Sequence, residues 1–425
     1  MHDFKNKKDE LYCEDVPISA IADSVGTPFY LYSYNTLLNH FKVFDAAFSS
    51  VRHLVCFSVK ANSNIAVLKT FIDQGGGVDI VSGGELFRAL VAGVEPRKIV
   101  YSGVGKRSEE IEFALETDIL MFNIESIQEL EFIDSMAGKL GKRTRVSFRI
   151  NPDIDPKTHP YISTGLRKNK FGIDIRRSLE EYKYAKGFKN VDIVGVDCHI
   201  GSQITEMTPF VDALKRIREL IFELRKDGIN IDYLDLGGGL GITYDNETPP
   251  HPSIYAEAIL NEISDLNCTL VLEPGRVIVG NAGILVTKVL YTKKGEEKNF
   301  VIVDAGMNDL SRPTLYGSYQ GIQPVCLIDR KEMIADLVGP ICESGDFLAR
   351  DRRMPQFEQG DLVAVMSAGA YGFTMSSNYN SRPRVPEVMV AGDGFHVIRE
   401  REEYLDLVKG EKIPSFLGTE NNSFD

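Results

Sequence analysis

Lys60 stands at the end of an apolar, strand-like run, His53-Leu54-Val55-Cys56-Phe57-Ser58-Val59, just before a turn, Ala61-Asn62-Ser63-Asn64. A lysine at the C-terminal end of a strand can point into a site, and its amine is the group that forms Schiff bases with carbonyl compounds. Alone, it reads as an ordinary solvated surface lysine. Three further strand ends carry unusual chemistry: Asp197-Cys198-His199-Ile200-Gly201-Ser202, Asp235-Leu236-Gly237-Gly238-Gly239-Leu240-Gly241 and Leu272-Glu273-Pro274-Gly275-Arg276. Without Cβ atoms, a glycine run can approach an anion closely and aim its N–H groups at the oxygens. It can equally be a flexible turn. Glu273 follows an apolar strand, so it should be partly buried and in need of a partner. That partner is either a neighbouring arginine or a protonated heterocyclic nitrogen. His199 is either a satisfied core histidine or an aromatic face stacked on a flat ligand.

The elements that must carry these residues alternate along the chain. Apolar, β-rich runs occur at 53–59, 77–81, 98–102, 119–122, 144–150, 192–199, 231–236 and 269–273. Helical periodicity fills the intervals. Ser82-x-x-Glu85, Ser126-x-x-Glu129 and Ser178-x-x-Glu181 read as capping boxes. Thr208-Pro209 puts a proline at a helix start, and the helix after Lys60 runs through Ile65, Leu68 and Ile72 to stop at Gly75-Gly76-Gly77. Eight alternations predict a closed (β/α)8 TIM-type barrel rather than an open doubly wound sheet, since no G-x-G-x-x-G follows the first strand. After residue 280 the runs Gly283–Thr292, Asn299–Asp304, Gln323–Asp329, Asp361–Ser367 and Glu387–Ala391 predict a C-terminal all-β domain, a sandwich or barrel. The expected division is an N-terminal segment, 1–35, joining the β-domain through the Thr27–Tyr32 run; a barrel, 36–280; and the β-domain, 281–425.

A chain of 425 residues with 43% hydrophobic and 26% charged residues has the balance of an ordinary globular protein with room for a large core. Its formal charge of −13 disfavours non-specific binding to nucleic acid or anionic membrane. An anionic ligand must therefore be held by local arginines and backbone dipoles. No apolar run reaches the roughly 18 residues of a spanning helix. The polar start, Met1 to Lys8, lacks the apolar stretch of a signal peptide, so a cytoplasmic location is expected. Cys13, Cys56, Cys198, Cys268, Cys326 and Cys342 show no C-x-x-C spacing, and no metal site is expected.

In a barrel of this kind, strand C-termini converge on one mouth. A lysine amine, a histidine face, a glycine cradle and a buried carboxylate at one mouth describe a pyridoxal 5'-phosphate site. The motifs are long and ordered: Phe57-Ser58-Val59-Lys60-Ala61-Asn62; His159-Pro160-Tyr161-Ile162-Ser163-Thr164-Gly165 with Lys170-Phe171-Gly172; and Cys198-His199-Ile200-Gly201-Ser202-Gln203. To these are added the glycine run, Glu273-Pro274-Gly275-Arg276, Cys342-Glu343-Ser344-Gly345-Asp346 and Gly369-Ala370-Tyr371-Gly372-Phe373. With them the chain resembles, over nearly its whole length, the diaminopimelate decarboxylases of the alanine-racemase-like class of pyridoxal phosphate enzymes.

The resemblance implies roles. Lys60 would hold the cofactor, His199 would stack on its ring, and Glu273, beside Pro274, would pair with the ring nitrogen. Ser202, Gly238, Gly239, Gly275, Arg276 and Tyr371 would line the phosphate end. Glu273 also argues for a decarboxylase, because racemases of this class have an arginine near that nitrogen. Cys342 would be the acid that reprotonates Cα, its thiol mostly protonated at neutral pH with a reference pKa of about 8.5. The implied substrate is meso-2,6-diaminopimelate, decarboxylated to L-lysine as the last step of lysine biosynthesis. Arg276, Arg312 and Tyr316, with Tyr371 nearby, would meet its distal carboxylate, and Glu343 its ammonium. Cys342 and Glu343 would come from the other subunit of a homodimer. Asp79 and Arg149 are expected to make supporting polar contacts, with no assigned role. Two other readings stay open: decarboxylation of another basic amino acid, against which Arg312 speaks, and a barrel-only pyridoxal phosphate-binding homeostasis protein, against which the β-domain speaks.

Overall fold

The structure, a computed structural model, describes residues 2–155, 164–165, 170–327 and 329–417. Eight strands close into a parallel barrel: His53–Ser58, Gly77–Ile80, Ile99–Tyr101, Met121–Ile124, Thr144–Asn151, Val191–Asp197, Tyr233–Asp235 and Thr269–Leu272. The eighth pairs with the first, Leu270 opposite His53. These strands read as continuous apolar runs because helices cover the outside and side chains fill the inside. Gly77–Ile80 and Met121–Ile124 are buried at every position.

Local chemistry sets most helix starts. Asn64 caps Ile65–Ile72, accepting from the Ala66 N–H. The Ser82 and Ser126 hydroxyls cap Gly83–Val91 and Ile127–Lys139, accepting from the N–H groups of Glu85 and Glu129. The third expected capping box is corrected. The helix Ile175–Ala185 begins before Ser178, and Asp174 is its cap, accepting from the Arg176 N–H. Ser178 lies inside the first turn and donates back to the Ile175 carbonyl. An aspartate placed one residue before the helix outcompetes a serine that can bond locally within it. Pro209 does stand in the first turn of Thr208–Lys226.

Beyond residue 282 the chain builds a second sheet around Gly283–Lys294. This strand pairs antiparallel with Asn299–Val303, Leu362–Val365 and the early strand Phe29–Ser33. Phe29–Ser33 also pairs in parallel with Glu387–Ala391. Its residues alternate between two cores: Phe29 and Leu31 pack with Ile284, Val286 and Val388, while Tyr30 and Tyr32 join the barrel-side core. Of the Gln323–Asp329 run, Gln323 and Pro324 lie in the short strand Ile322–Pro324, after which the Val325 N–H still donates to the Leu362 carbonyl and Cys326 bridges to Glu10. Two further antiparallel strands, Glu332–Val338 and Phe347–Pro355, expose Glu332, Arg350, Asp351 and Arg353, while Asp336 is buried.

The two units meet at the barrel mouth. The Tyr371 N–H donates to the Ala61 carbonyl at 2.8 Å, and Asn62 Nδ2 to the Gly369 carbonyl at 3.2 Å. Tyr371 has φ of +56°, a left-handed conformation that a bulky residue rarely adopts. The turn following Lys60 is thus tied directly to the loop that carries Tyr371.

Candidate active site

Lys60 follows the first strand within a single 3-10 turn, Val59–Ala61, which lifts its side chain into the barrel mouth. Its Nζ lies 3.0 Å from Asp79 Oδ2, at the end of the second strand. Asp79 is fully buried and also accepts from the Ser58 hydroxyl at 2.9 Å. Burial by itself would lower the lysine pKa, but the charges of Asp79 and Glu273 outweigh it and hold the ammonium above its ordinary range.

Glu273 is buried one residue beyond the eighth strand. Its Oε1 accepts from Ser102 Oγ at 3.2 Å and from Asn123 Nδ2 at 3.3 Å. Asn123 also donates to Asp235 Oδ2 at 3.0 Å, and Asp235 Oδ1 receives the Gly237 N–H at 2.9 Å. Burial first, then the neighbouring Asp235 and Asp79, push the Glu273 carboxyl well above the usual range. Burial and Asp197 push Asp235 up to about 7. Behind this group, Arg149 Nη1 donates to Glu125 at 2.9 Å and its Nε lies 3.9 Å from Asp197. One oxygen each of Asp79 and Asp197 is buried without a hydrogen-bond partner among the described residues. This wall of the mouth holds more carboxyl groups than Lys60 and Arg149 can pair, which, after burial, is why the pKa values of Glu273, Asp235 and Asp197 rise.

The glycine turn and His199 fit against each other. Gly237 has φ of +60°, and a Cβ there would stand 2.6 Å from His199 Nδ1. The Gly238 N–H donates to that nitrogen at 3.1 Å, so the remaining ring proton belongs on Nε2. Burial, then the charges of Arg149 and Lys60, hold the histidine pKa well below its usual value, leaving a neutral ring. Gly239 and Gly275 carry N–H groups that have no acceptor among the described residues.

The opposite wall is cationic. Arg276 and Arg312 are 4% and 6% exposed, and neither has a carboxylate partner among the described residues. The Nε of each is buried without an acceptor among the described residues. Arg276 donates through Nη2 to Ser202 Oγ at 3.1 Å. The Arg276 guanidinium stands 4.9 Å from the Tyr371 ring centre, and that of Arg312 5.6 Å and 5.7 Å from the rings of Tyr316 and Tyr371. Burial first, and the cation of Arg276 to a lesser degree, lower the pKa of Arg312.

One cleft therefore brings together Lys60, His199, Ser202, Gly238, Gly239, Glu273, Gly275, Arg276, Arg312, Tyr316 and Tyr371, with Ser58, Thr164 and Met375 beside them. Pro274 does not line it; its buried carbonyl accepts from the Ser58 N–H. Cys342 and Glu343 do not line it either, and both are exposed. Their loop is nonetheless fixed. Asp346 accepts from the N–H groups of Met307 and Ile341 at 2.6 Å each, and Thr314 Oγ1 donates to the Gly345 carbonyl at 2.5 Å. The expected motif residues His159 to Ser163 lie outside the described residues. The strand-end rule that singled out Lys60 applies equally to Asp79, Ser102 and Asn123, which sequence reasoning left without roles.

A family model described as pyridoxal-dependent decarboxylase, pyridoxal binding domain, matches residues 34–280. A Haemophilus influenzae protein named diaminopimelate decarboxylase is 51% identical over 409 residues, covering 96% of this chain and 98% of that protein. The solved structure of diaminopimelate decarboxylase from Helicobacter pylori, complexed with L-lysine, has a TM-score of 0.89 and 43% identity, covering 92% of this chain and 98% of that one. The corresponding M. jannaschii structure, also with L-lysine, has a TM-score of 0.93 and 37% identity, covering 98% and 100%. This chain belongs to the pyridoxal-dependent decarboxylases and, among them, to the diaminopimelate decarboxylase family.

Proposed function

We propose that the protein decarboxylates meso-2,6-diaminopimelate to L-lysine and CO2, the last step of lysine biosynthesis, with pyridoxal 5'-phosphate at Lys60. The observation that carries the substrate reading is the pair of buried guanidiniums, Arg276 and Arg312, with no carboxylate of their own among the described residues. An unpaired buried cation is costly. A substrate that brings a distal carboxylate relieves that cost, and a diamine precursor such as ornithine or lysine, which offers only an ammonium there, does not.

The residues present fit the cofactor. Glu273 makes no ion pair among the described residues, which suits a protonated ring nitrogen, and the N–H groups of Gly239 and Gly275, unused among those residues, suit phosphate oxygens. When bound, pyridoxal phosphate supplies an electron-withdrawing ring that stabilises the charge left at Cα as CO2 departs. Glu273 would hold the ring nitrogen cationic, and that cation would in turn draw the Glu273 carboxyl back toward its charged form. His199, kept neutral, offers a flat face for stacking. Ser202, Gly238 and Tyr371 complete the phosphate end, and Pro274 shapes the turn between Glu273 and Gly275. Lys60 must lose a proton before its amine can act, and Asp79, 3.0 Å away, is the acceptor in reach. Arg276 and Arg312, with the Tyr316 hydroxyl and Tyr371, receive the distal carboxylate.

This reading divides the chain at 1–35, 36–280 and 281–425, and assigns it to the cytoplasm as a homodimer with shared sites. Among the described residues no helix is long and apolar enough to cross a membrane. A fixed loop that exposes the Cys342 thiol and the Glu343 carboxylate at the surface, outside the cleft of its own chain, supports the sharing, with Cys342 reprotonating Cα and Glu343 holding the distal ammonium of the partner's substrate. Release of CO2 and L-lysine from meso-diaminopimelate by the purified holoenzyme, with no turnover of ornithine, is the direct test. For the sharing, inactive Lys60→Ala and Cys342→Ala proteins are mixed. Random pairing of subunits should restore roughly a quarter of the activity per site, and a mixture that stays inactive counts against shared sites.

A further inference from the structure

Tyr244 stands between the two guanidiniums without lining the cleft. Arg276 Nη1 donates to its hydroxyl at 2.5 Å, and the Arg312 guanidinium lies 5.5 Å from its ring centre. Its own position is fixed by a local clasp. Glu247 Oε2 accepts the N–H groups of Tyr244 and Asp245 at 2.9 and 2.8 Å, and the Thr243 hydroxyl donates to the Glu247 carbonyl at 2.9 Å. One residue earlier, the Ile242 N–H and carbonyl exchange hydrogen bonds with the Gln203 side chain, next to Ser202. Two strand-end loops, one carrying Ser202 and Gln203 and the other Ile242 to Glu247, thus meet at Arg276: Ser202 binds one of its terminal nitrogens and Tyr244 the other.

Two like charges this close repel each other, and flexible arginines would separate into different rotamers. The phenol opposes that. Its oxygen holds Arg276 by a charge-assisted bond, and its ring gives Arg312 a face to rest against. We infer that Tyr244, clasped by Glu247, is a specificity-determining positioning residue that keeps Arg276 and Arg312 paired as one receptor for the distal carboxylate. The inference rests on the diaminopimelate reading and assigns that site a residue which touches neither substrate nor cofactor.

The test uses the holoenzyme and its Tyr244→Phe, Tyr244→Ala and Glu247→Ala variants. It measures kcat and KM for meso-diaminopimelate and the inhibition constants of L-lysine and 1,5-diaminopentane, a diamine lacking the carboxylate. Tyr244→Ala should raise KM and the L-lysine constant together by about tenfold, and Tyr244→Phe and Glu247→Ala by about threefold. The diamine constant, kcat and the visible absorbance of bound cofactor should each hold within about twofold. A fall in kcat at unchanged KM, or equal weakening of both inhibitors, overturns the role. Variants matching an active wild-type enzyme overturn it while leaving the substrate reading intact. A wild-type enzyme that releases no CO2 from meso-diaminopimelate overturns both.

Discussion

The two walls of the cleft have opposite electrostatic problems. On one, Asp79, Asp235 and Glu273 crowd carboxylates into a dry barrel mouth, and Lys60 is the cation among them. On the other, Arg276 and Arg312 sit buried among tyrosines with no acid in reach among the described residues. A protein that sought only stability would place these charges together. Holding them apart leaves each wall short of a counter-charge, and the missing charges describe the ligands. The acidic wall suits a cationic heterocycle, and the cationic wall suits anionic oxygens. Under the proposed function the contrast also divides the tasks, with the acidic wall beside the place where charge would change during reaction and the cationic wall beside a group that would not change.

Kinetics of variants sharpen that contrast. Glu273→Gln removes the charge beside the ring nitrogen but keeps the shape, and kcat should fall by about 10³-fold with little change in KM. Arg312→Ala should do the reverse, raising KM for meso-diaminopimelate by about 30-fold, as expected for loss of a charge-assisted hydrogen bond, with kcat nearly kept. If both variants lost only kcat, the two walls would not have separate tasks. The smallest effect concerns the cofactor-free protein. Burial, then Asp197, push Asp235 up to about 7, while in the unfolded chain it titrates near 3.9. The folded chain therefore keeps a proton that the unfolded chain has released. The cost of this is absent below about pH 4 and grows until pH about 7. Relative to Asp235→Asn, the melting temperature of the cofactor-free wild type should fall by about 2 °C between pH 5 and 7.5. A constant difference across that range would show that the acidic wall is not strained in the way described.

Much of this arrangement was legible in the chain because parallel strands announce themselves. The run ending at Lys60 and the run ending at Glu273 are apolar on both faces, and whatever follows such a strand lies at the mouth. That rule was enough to single out Lys60, His199, the glycine run and Glu273, whereas Tyr371, on a loop of the β-domain, and the role of each residue came from the family resemblance. What stayed hidden depended on pairings across the fold. Asp79 ends a strand like Lys60, yet only the closed barrel brings the two within 3.0 Å. Tyr244 follows a glycine run, and nothing local marks it as the neighbour of Arg312, far along the chain. At Ser178 a good local pattern lost to Asp174 because the tertiary start of the helix lay one turn earlier. The strand Phe347–Pro355 escaped notice because Arg350, Asp351, Arg352 and Arg353 break any apolar run, and Glu332–Val338 because Asp336 divides its short apolar stretch.

The central claim is that one amine, facing an acidic wall, carries the cofactor. Borohydride reduction of the yellow holoenzyme, followed by proteolysis and mass mapping, reads this directly. The account predicts a single pyridoxyl-modified peptide with the label on Lys60, and loss of the label in Lys60→Ala. A label on Lys106 or any other lysine, or an unlabelled protein that still releases CO2, would contradict it.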